Sequence, residues 1–228
     1  MILTKNKKKQ IEGVDFNKSY PVIEAVKLLK EKKFVKFDES IEVSINTGID
    51  SKQSDQNVRG SFVPPHGLGK KVDIAVFAQG KAAEEAKTLG VKKIGGEDLV
   101  AALQKKIDVD VIIATPDMMA VVSKIAKVLG PKGLMPNPKT GTVSDDVASA
   151  IKNVKAGQVR FRTDKNGIIH GSIGRVSFDG SKIKANAVAL LEELKKLKPA
   201  SAKGMYIGNI ALSSTMGPGV KISPGDLI

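Results

Sequence analysis

The chain has no cysteine and no tryptophan, and among its 228 residues only two tyrosines, seven phenylalanines and two histidines. Without cysteine there is no disulfide framework and no thiolate zinc site, which fits a reducing compartment such as the cytoplasm. His66 and His170 lie in different stretches, so neither a metal cluster nor a Ser-His-Asp triad is supported. Apolar runs such as Val109–Ala114 are short and bounded by charge, far below a bilayer span. The N-terminal MILTKNKKKQ carries lysines but no apolar run behind them, so it does not read as a signal peptide. No G-x-x-x-x-G-K-[ST] occurs, and Gly69-Lys70 in HGLGKKVDI has the wrong spacing for a phosphate loop. No catalytic residue, cofactor or metal is therefore expected. Acid is scarce too: 24 Asp and Glu face 37 Lys and Arg, a net charge of +13. Such a surplus points to a polyanion. A membrane surface is the lesser reading, because the best amphipathic segment, Ser181–Lys198, offers Leu190, Leu194 and Leu197 but no Trp or Phe.

Three stretches have different rhythms. The first opens with a lysine-rich arm, Lys7–Lys9 included. A helix follows over Tyr20–Lys33, with Ser19 as its cap and Pro21 in the first turn. In FDESIEVSINTG, Ile41, Val43 and Ile45 alternate with Ser40, Glu42, Ser44 and Asn46, the pattern of a strand with one buried face. The middle stretch begins after PPHGLGK. Its strands KVDIAVFA and VDVIIATP are nearly continuous apolar runs, interleaved with helices over Lys81–Leu89, Glu97–Lys106 and Asp117–Leu129, where Asp117 reads as a cap. This predicts a parallel sheet covered on both faces. The last stretch alternates again. Val159 and Phe161 face inward, Arg160 and Arg162 outward, and Asn166-Gly167 marks a hairpin turn. A helix from Ser181 and strands around Met205–Leu212 and Val220–Ile222 complete it. The fold class expected is an α+β domain built from both termini (1–65 plus 157–228) with an inserted three-layer, Rossmann-like α/β domain (66–156). Pro64, Pro65, Gly67 and Gly157 form the hinge between them. The outer stretches (1–65 and 156–228) hold 23 Lys and Arg against 14 Asp and Glu, net +9, and the middle holds 14 against 10, net +4. The outer domain is the better polyanion surface.

Three tracts call for a function. LGPKGLMPNPKTGTV is a stiff loop carrying Lys132 and Lys139, and it reads equally as a binding loop or as a long helix-to-strand connection. SDQNVRG, with Arg59 just before the hinge, reads equally as a turn network or a ligand contact. SSTMGPGVKI puts an apolar Met216 beside a Gly-Pro-Gly turn. Either that turn folds onto the core, or its backbone approaches something outside the protein. Phe37 is open in the same way, a core side chain or a stacking platform. Arg160 and Arg162 read as phosphate contacts or as a solvated face paired with Glu42.

Read together, KFDESIEV, GIDSKQSDQNVRGSFVPPHGLGK, VIIATPDMM, LGPKGLMPNPKTGTV, FRTDKNGIIH and STMGPGVKI resemble the L-one family of large-subunit ribosomal proteins, in order and spacing, over nearly the whole chain. The resemblance implies a two-domain, non-enzymatic protein of the mobile ribosomal stalk, a monomer away from the ribosome. Its implied partners are stalk-region rRNA, the mRNA of its own operon, whose translation it represses, and exit-site tRNA, whose departure it assists; no membrane is implied. The implied RNA surface falls on Lys36, Phe37, Glu42, Asp164, Lys165, His170, Ser214, Thr215, Met216 and Gly217. Ser213 and Ser214 stand where bacterial relatives commonly have threonine. Small residues and a hydroxyl at 214–217 suit the wide, shallow minor groove of an RNA helix and its 2′-hydroxyls, with Met216 as an adaptable apolar contact. A nucleotide-dependent enzyme on the inserted domain is the alternative of another class, and a free translational repressor a third.

Overall fold

The structure, a computed structural model, describes residues 11–202 and 204–227; Lys7–Lys9 lie outside them. The chain divides into two compact units, one of residues up to Gly69 and from Val159 on, the other Lys70–Gln158.

In the first unit, strands β1 (Ser40–Thr47), β7 (Ile168–Arg175), β8 (Ile207–Ser214) and β9 (Gly219–Ile222) form an antiparallel sheet in the order β7-β1-β8-β9. The alternation of β1 decides its faces. Ile41, Val43 and Ile45 are buried, while Glu42 and Asn46 are exposed. The buried face packs on helix α1 (Val22–Glu31) through Val22, Ala25, Val26 and Leu29, and on the long helix over Gly180–Lys196 through Ile183, Ala187, Leu190 and Leu194. A second, two-stranded sheet pairs β2 (Arg59–Phe62) with β6 (Val159–Arg162), and Phe62 and Phe161 turn into the same core.

Ser19 does not cap α1. Tyr20 bridges to Ile222 instead, exchanging backbone hydrogen bonds with Lys221 and Ser223, and Pro21 holds the N-cap position. The free Val22 N–H is taken by the Asp226 carboxylate at 2.9 Å, from the far end of the chain. The long helix begins one residue before Ser181, because Asp179 accepts the Gly180 N–H and the Ser181 hydroxyl.

In the second unit, β3 (Ile74–Phe77), β4 (Lys93–Gly95) and β5 (Val111–Ala114) form a parallel sheet in the order β4-β3-β5. Every residue of β3 and β5 is buried, as a sheet covered on both faces requires. Ala75, Phe77, Ile112 and Ala114 pack on α3 (Glu97–Lys105) and the segment to Leu129; Ile74, Val76 and Ile113 pack on α2 (Lys81–Thr88) and on a helix over Val147–Lys155. That last helix, capped by Asp146, is absent from the rhythm read in the sequence. The single helix expected over Asp117–Leu129 is broken into a 3-10 turn at Pro116–Met118, α4 (Met119–Ser123) and α5 (Ala126–Leu129). Pro116 holds Thr115 extended, so the turn starts at the proline and Asp117 lies inside it rather than capping it. Bonds from Lys124 to Val121 and from Ile125 to Val122 then tighten the next break.

Candidate nucleic-acid interface

The outer face of the four-stranded sheet carries much of the candidate surface. Glu42 sits between Ser172 and Ser213, and Ser44 between His170 and Ala211. The Ser44 hydroxyl and His170 Nδ1 are 3.1 Å apart, and His170 Nε2 lies 3.6 Å from Asp164 Oδ2. Asp164 organises the hairpin, its Oδ1 accepting the amides of Asn166 and Ile168, both at 2.8 Å. The Ile168 amide, first among these donors, holds its carboxyl below the usual range. Lys165 is exposed at the turn, and its carbonyl is bonded by the Ser51 hydroxyl.

The other end of β1 carries the Met216 turn. Thr215 N–H donates to Ser40 O at 3.1 Å, and Thr215 Oγ1 accepts the Ser40 N–H at 3.1 Å. Met216 N–H donates to Glu39 Oε1 at 3.0 Å. The turn is thus tied to the start of β1 by successive hydrogen bonds, while the Met216 side chain remains 49% exposed. Phe37 is 52% exposed, so it is not a core side chain, and Lys36 beside it is exposed. The 38–40 segment is braced on its other side as well: Asp38 accepts the Ser177 amide and hydroxyl, and its carbonyl accepts Arg175 Nη1. A Cβ on Gly217 would stand 2.3 Å from Ser214 Oγ, so a side chain there would displace the Ser214 hydroxyl. Ser214 itself turns inward and is 4% exposed, and its hydroxyl has no hydrogen-bond partner among the described residues. Its neighbour Ser213 is the one on the outer face.

The arginines stand on the other sheet. Arg59 pairs with Arg162 and Ser61 with Arg160, all on the side away from the phenylalanines. Among the described residues no carboxylate forms an ion pair with any of the three, so the pairing of Arg160 or Arg162 with Glu42 does not occur. Burial, and then the charge of Arg59, lowers the pKa of Arg160 from its ordinary value. Like charges on directly opposed strand residues are unfavourable, and Arg59 is the member of this cluster that sequence pattern left undecided. The rest of SDQNVRG is a turn network, with Gln56 accepting the Asp50 amide and donating to Gln53.

The proline-glycine segment is less free than its composition suggests. The buried Asn186 accepts the His66 amide and donates to the carbonyls of Gly67 and Ile173, so 66–67 are fastened to the first unit; Pro64 is buried and Pro65 exposed. Gly157, with φ 95°, closes the helix over Val147–Lys155. Lys132 and Lys139 are exposed in the second unit, Lys139 on a 3-10 turn capped by Asn137.

A family model described as "Ribosomal protein L1p/L10e family" matches residues 29–218. The chain is 56% identical over 221 residues to the large ribosomal subunit protein uL1 of Coxiella burnetii, covering 96% of this chain and 95% of that protein. It is 54% identical over 226 residues to the protein of the same name from Pseudomonas syringae pv. syringae, with 99% and 98% covered. The Alcanivorax borkumensis counterpart is 54% identical over 227 residues, at the same coverage.

Proposed function

The chain belongs to the ribosomal protein L1p/L10e family, as a non-enzymatic protein of the large ribosomal subunit, and from that premise we propose how it meets its RNA. Its first unit binds a structured segment of large-subunit rRNA at the mobile stalk. The RNA lies on the outer face of the four-stranded sheet, touching Glu42, His170, Asp164 and Lys165, with Lys36, Phe37, Thr215, Met216 and Gly217 at one end. The observation that carries this reading is the pair of exposed apolar side chains, Phe37 and Met216, the latter on a turn whose amides are bonded to the Ser40 carbonyl and the Glu39 carboxylate. Exposed apolar groups on a fixed backbone suit the sugar surface of a minor groove, where shape is read. The Thr215 oxygen, which already accepts one bond, keeps a lone pair for a 2′-hydroxyl. Ser214 supports the turn from inside, and Ser213 takes its place on the outer face.

Arg59, Arg160 and Arg162 supply phosphate contacts, which give affinity and salt dependence without sequence reading. Lys132 and Lys139 are secondary contacts. The same surface binds the chain's own operon mRNA and so represses its translation, and on the cytoplasmic ribosome the protein assists the departure of exit-site tRNA. Movement of one unit against the other is seated where the chain crosses between them, at Gly69–Lys70 and Gln158–Val159. The test is a salt-titrated binding assay with a stalk-region rRNA fragment and a generic hairpin of equal length. Preference for the stalk fragment that survives rising salt supports a shape-reading site; equal affinities that collapse together would leave net charge as the whole explanation.

A further inference from the structure

Glu39 is the least expected residue beside this surface. It stands at the end of a basic chain's candidate RNA site, yet it is 1% exposed. Its Oε1 accepts the Met216 N–H at 3.0 Å, and its Oε2 has no hydrogen-bond partner among the described residues. An incompletely paired buried carboxylate is costly, and no cation forms an ion pair with it among the described residues. As mere core filling, an apolar side chain of similar volume would serve better.

The geometry shows what the carboxylate does. The amides of Thr215 and Met216 both point at the 39–40 segment, one to Ser40 O and the other to Glu39 Oε1. With two successive peptide planes fixed in that sense, the side chains of Thr215 and Met216 are left at the surface. The Glu39 backbone is itself held, its carbonyl accepting the Val176 amide at 2.9 Å. Phe37 precedes the same braced segment.

We propose that Glu39 is a positioning residue for RNA recognition: its buried carboxylate fixes the Met216 turn in its binding conformation before RNA arrives, so that the ordering cost is not met on binding. This rests on the RNA-binding reading above. Glu39 touches no RNA and acts through the Met216 amide.

The test uses the full chain, the stalk-region fragment and the generic hairpin. Glu39→Gln keeps an acceptor for the Met216 amide and is expected to bind the stalk fragment within about twofold of the unsubstituted chain, whereas Glu39→Met, which has none, is expected to bind it about tenfold more weakly. Neither change should alter affinity for the generic hairpin, which reads only charge. In the unsubstituted chain the Met216 amide is expected to exchange slowly with solvent although its side chain is exposed. Should Glu39→Met fail to fold, the Glu39→Gln affinity and the Met216 exchange decide the matter. A Met216 amide that exchanges as an open turn, or a folded Glu39→Met that binds the stalk fragment like the unsubstituted chain, overturns the proposal. If the unsubstituted chain does not itself prefer the stalk fragment, the RNA-binding reading fails first and takes this one with it.

Discussion

Thr215→Val removes one hydroxyl and almost no volume, and the structure says where the loss is felt. In the free protein, Thr215 Oγ1 accepts the Ser40 N–H at 3.1 Å and lies 3.4 Å from Ser40 O. Both groups are near solvent, so water replaces the hydroxyl, and the cost to stability is that of one exposed hydrogen bond, about 0.5–1 kcal/mol. For a chain of this size that lowers the melting temperature by roughly 1–4 °C. Under bound RNA water is excluded. The Ser40 amide then stays unpaired and any bond to a 2′-hydroxyl is missing, a penalty of about 1–3 kcal/mol, or roughly 5- to 150-fold in Kd. The assay is a binding titration on the stalk fragment and the generic hairpin at fixed salt, with a melting curve for each protein. A loss confined to the stalk fragment, alongside a small shift in melting, is the expected result. An unchanged Kd for the stalk fragment, or an equal loss on both RNAs, would refute the reasoning.

Arg160→Ala should weaken binding to both RNAs alike and reduce the salt slope by roughly one, measured from the dependence of log K on log salt; a loss on the stalk fragment alone would contradict a phosphate role. Ser214→Ala removes a buried hydroxyl that has no partner among the described residues and should be neutral or slightly stabilising, whereas Gly217→Ala should cost about 1 kcal/mol because its Cβ meets that hydroxyl. The double variant should recover most of the loss, and additive losses in a melting cycle would show the clash is elsewhere. Asp226 is held below the usual carboxyl range by Lys184 first and the Val22 amide second. Its contribution is therefore complete above the unfolded carboxyl pKa of about 3.9 and is lost as pH falls through the lower folded value. Asp226→Ala should destabilise by about 1 kcal/mol at neutral pH, and chemical-denaturation curves for the two proteins should converge in acid.

The alternation that made β1 legible also held information beyond its ends. Positions 39, 41, 43 and 45 share a phase, so a carboxylate at 39 belongs to the buried face. Leu212 and Ser214 share one too, which sends Ser214 inward and leaves Ser213 outside. Both follow from the two-residue period of a strand, although the hydroxyl of Ser214 by itself suggests a surface position. The parallel sheet was legible because continuous apolar runs of four residues have few other homes. What pattern could not supply were pairings across long separations. The cap of α1 comes from Asp226, the partners of Arg59 and Arg162 are each other, and the lock on His66 and Gly67 is Asn186, on a helix far along the chain. Periodicity describes one element at a time, and these contacts are made by two.

The Tyr20–Ile222 bridge and the Asp226 bond to Val22 have a consequence for the order in which the protein is made. Synthesis runs from the N-terminus, and domains fold as their chains become complete. The inserted unit has all its residues once Gln158 has been added, while β1 still waits for β7 and β8 and α1 for its partner at position 226. Although it starts first, the unit that holds the proposed RNA surface is completed last. A chain cut short after the inserted unit has all the residues of that unit but no Met216 turn, so on the proposed reading it lacks part of the RNA surface.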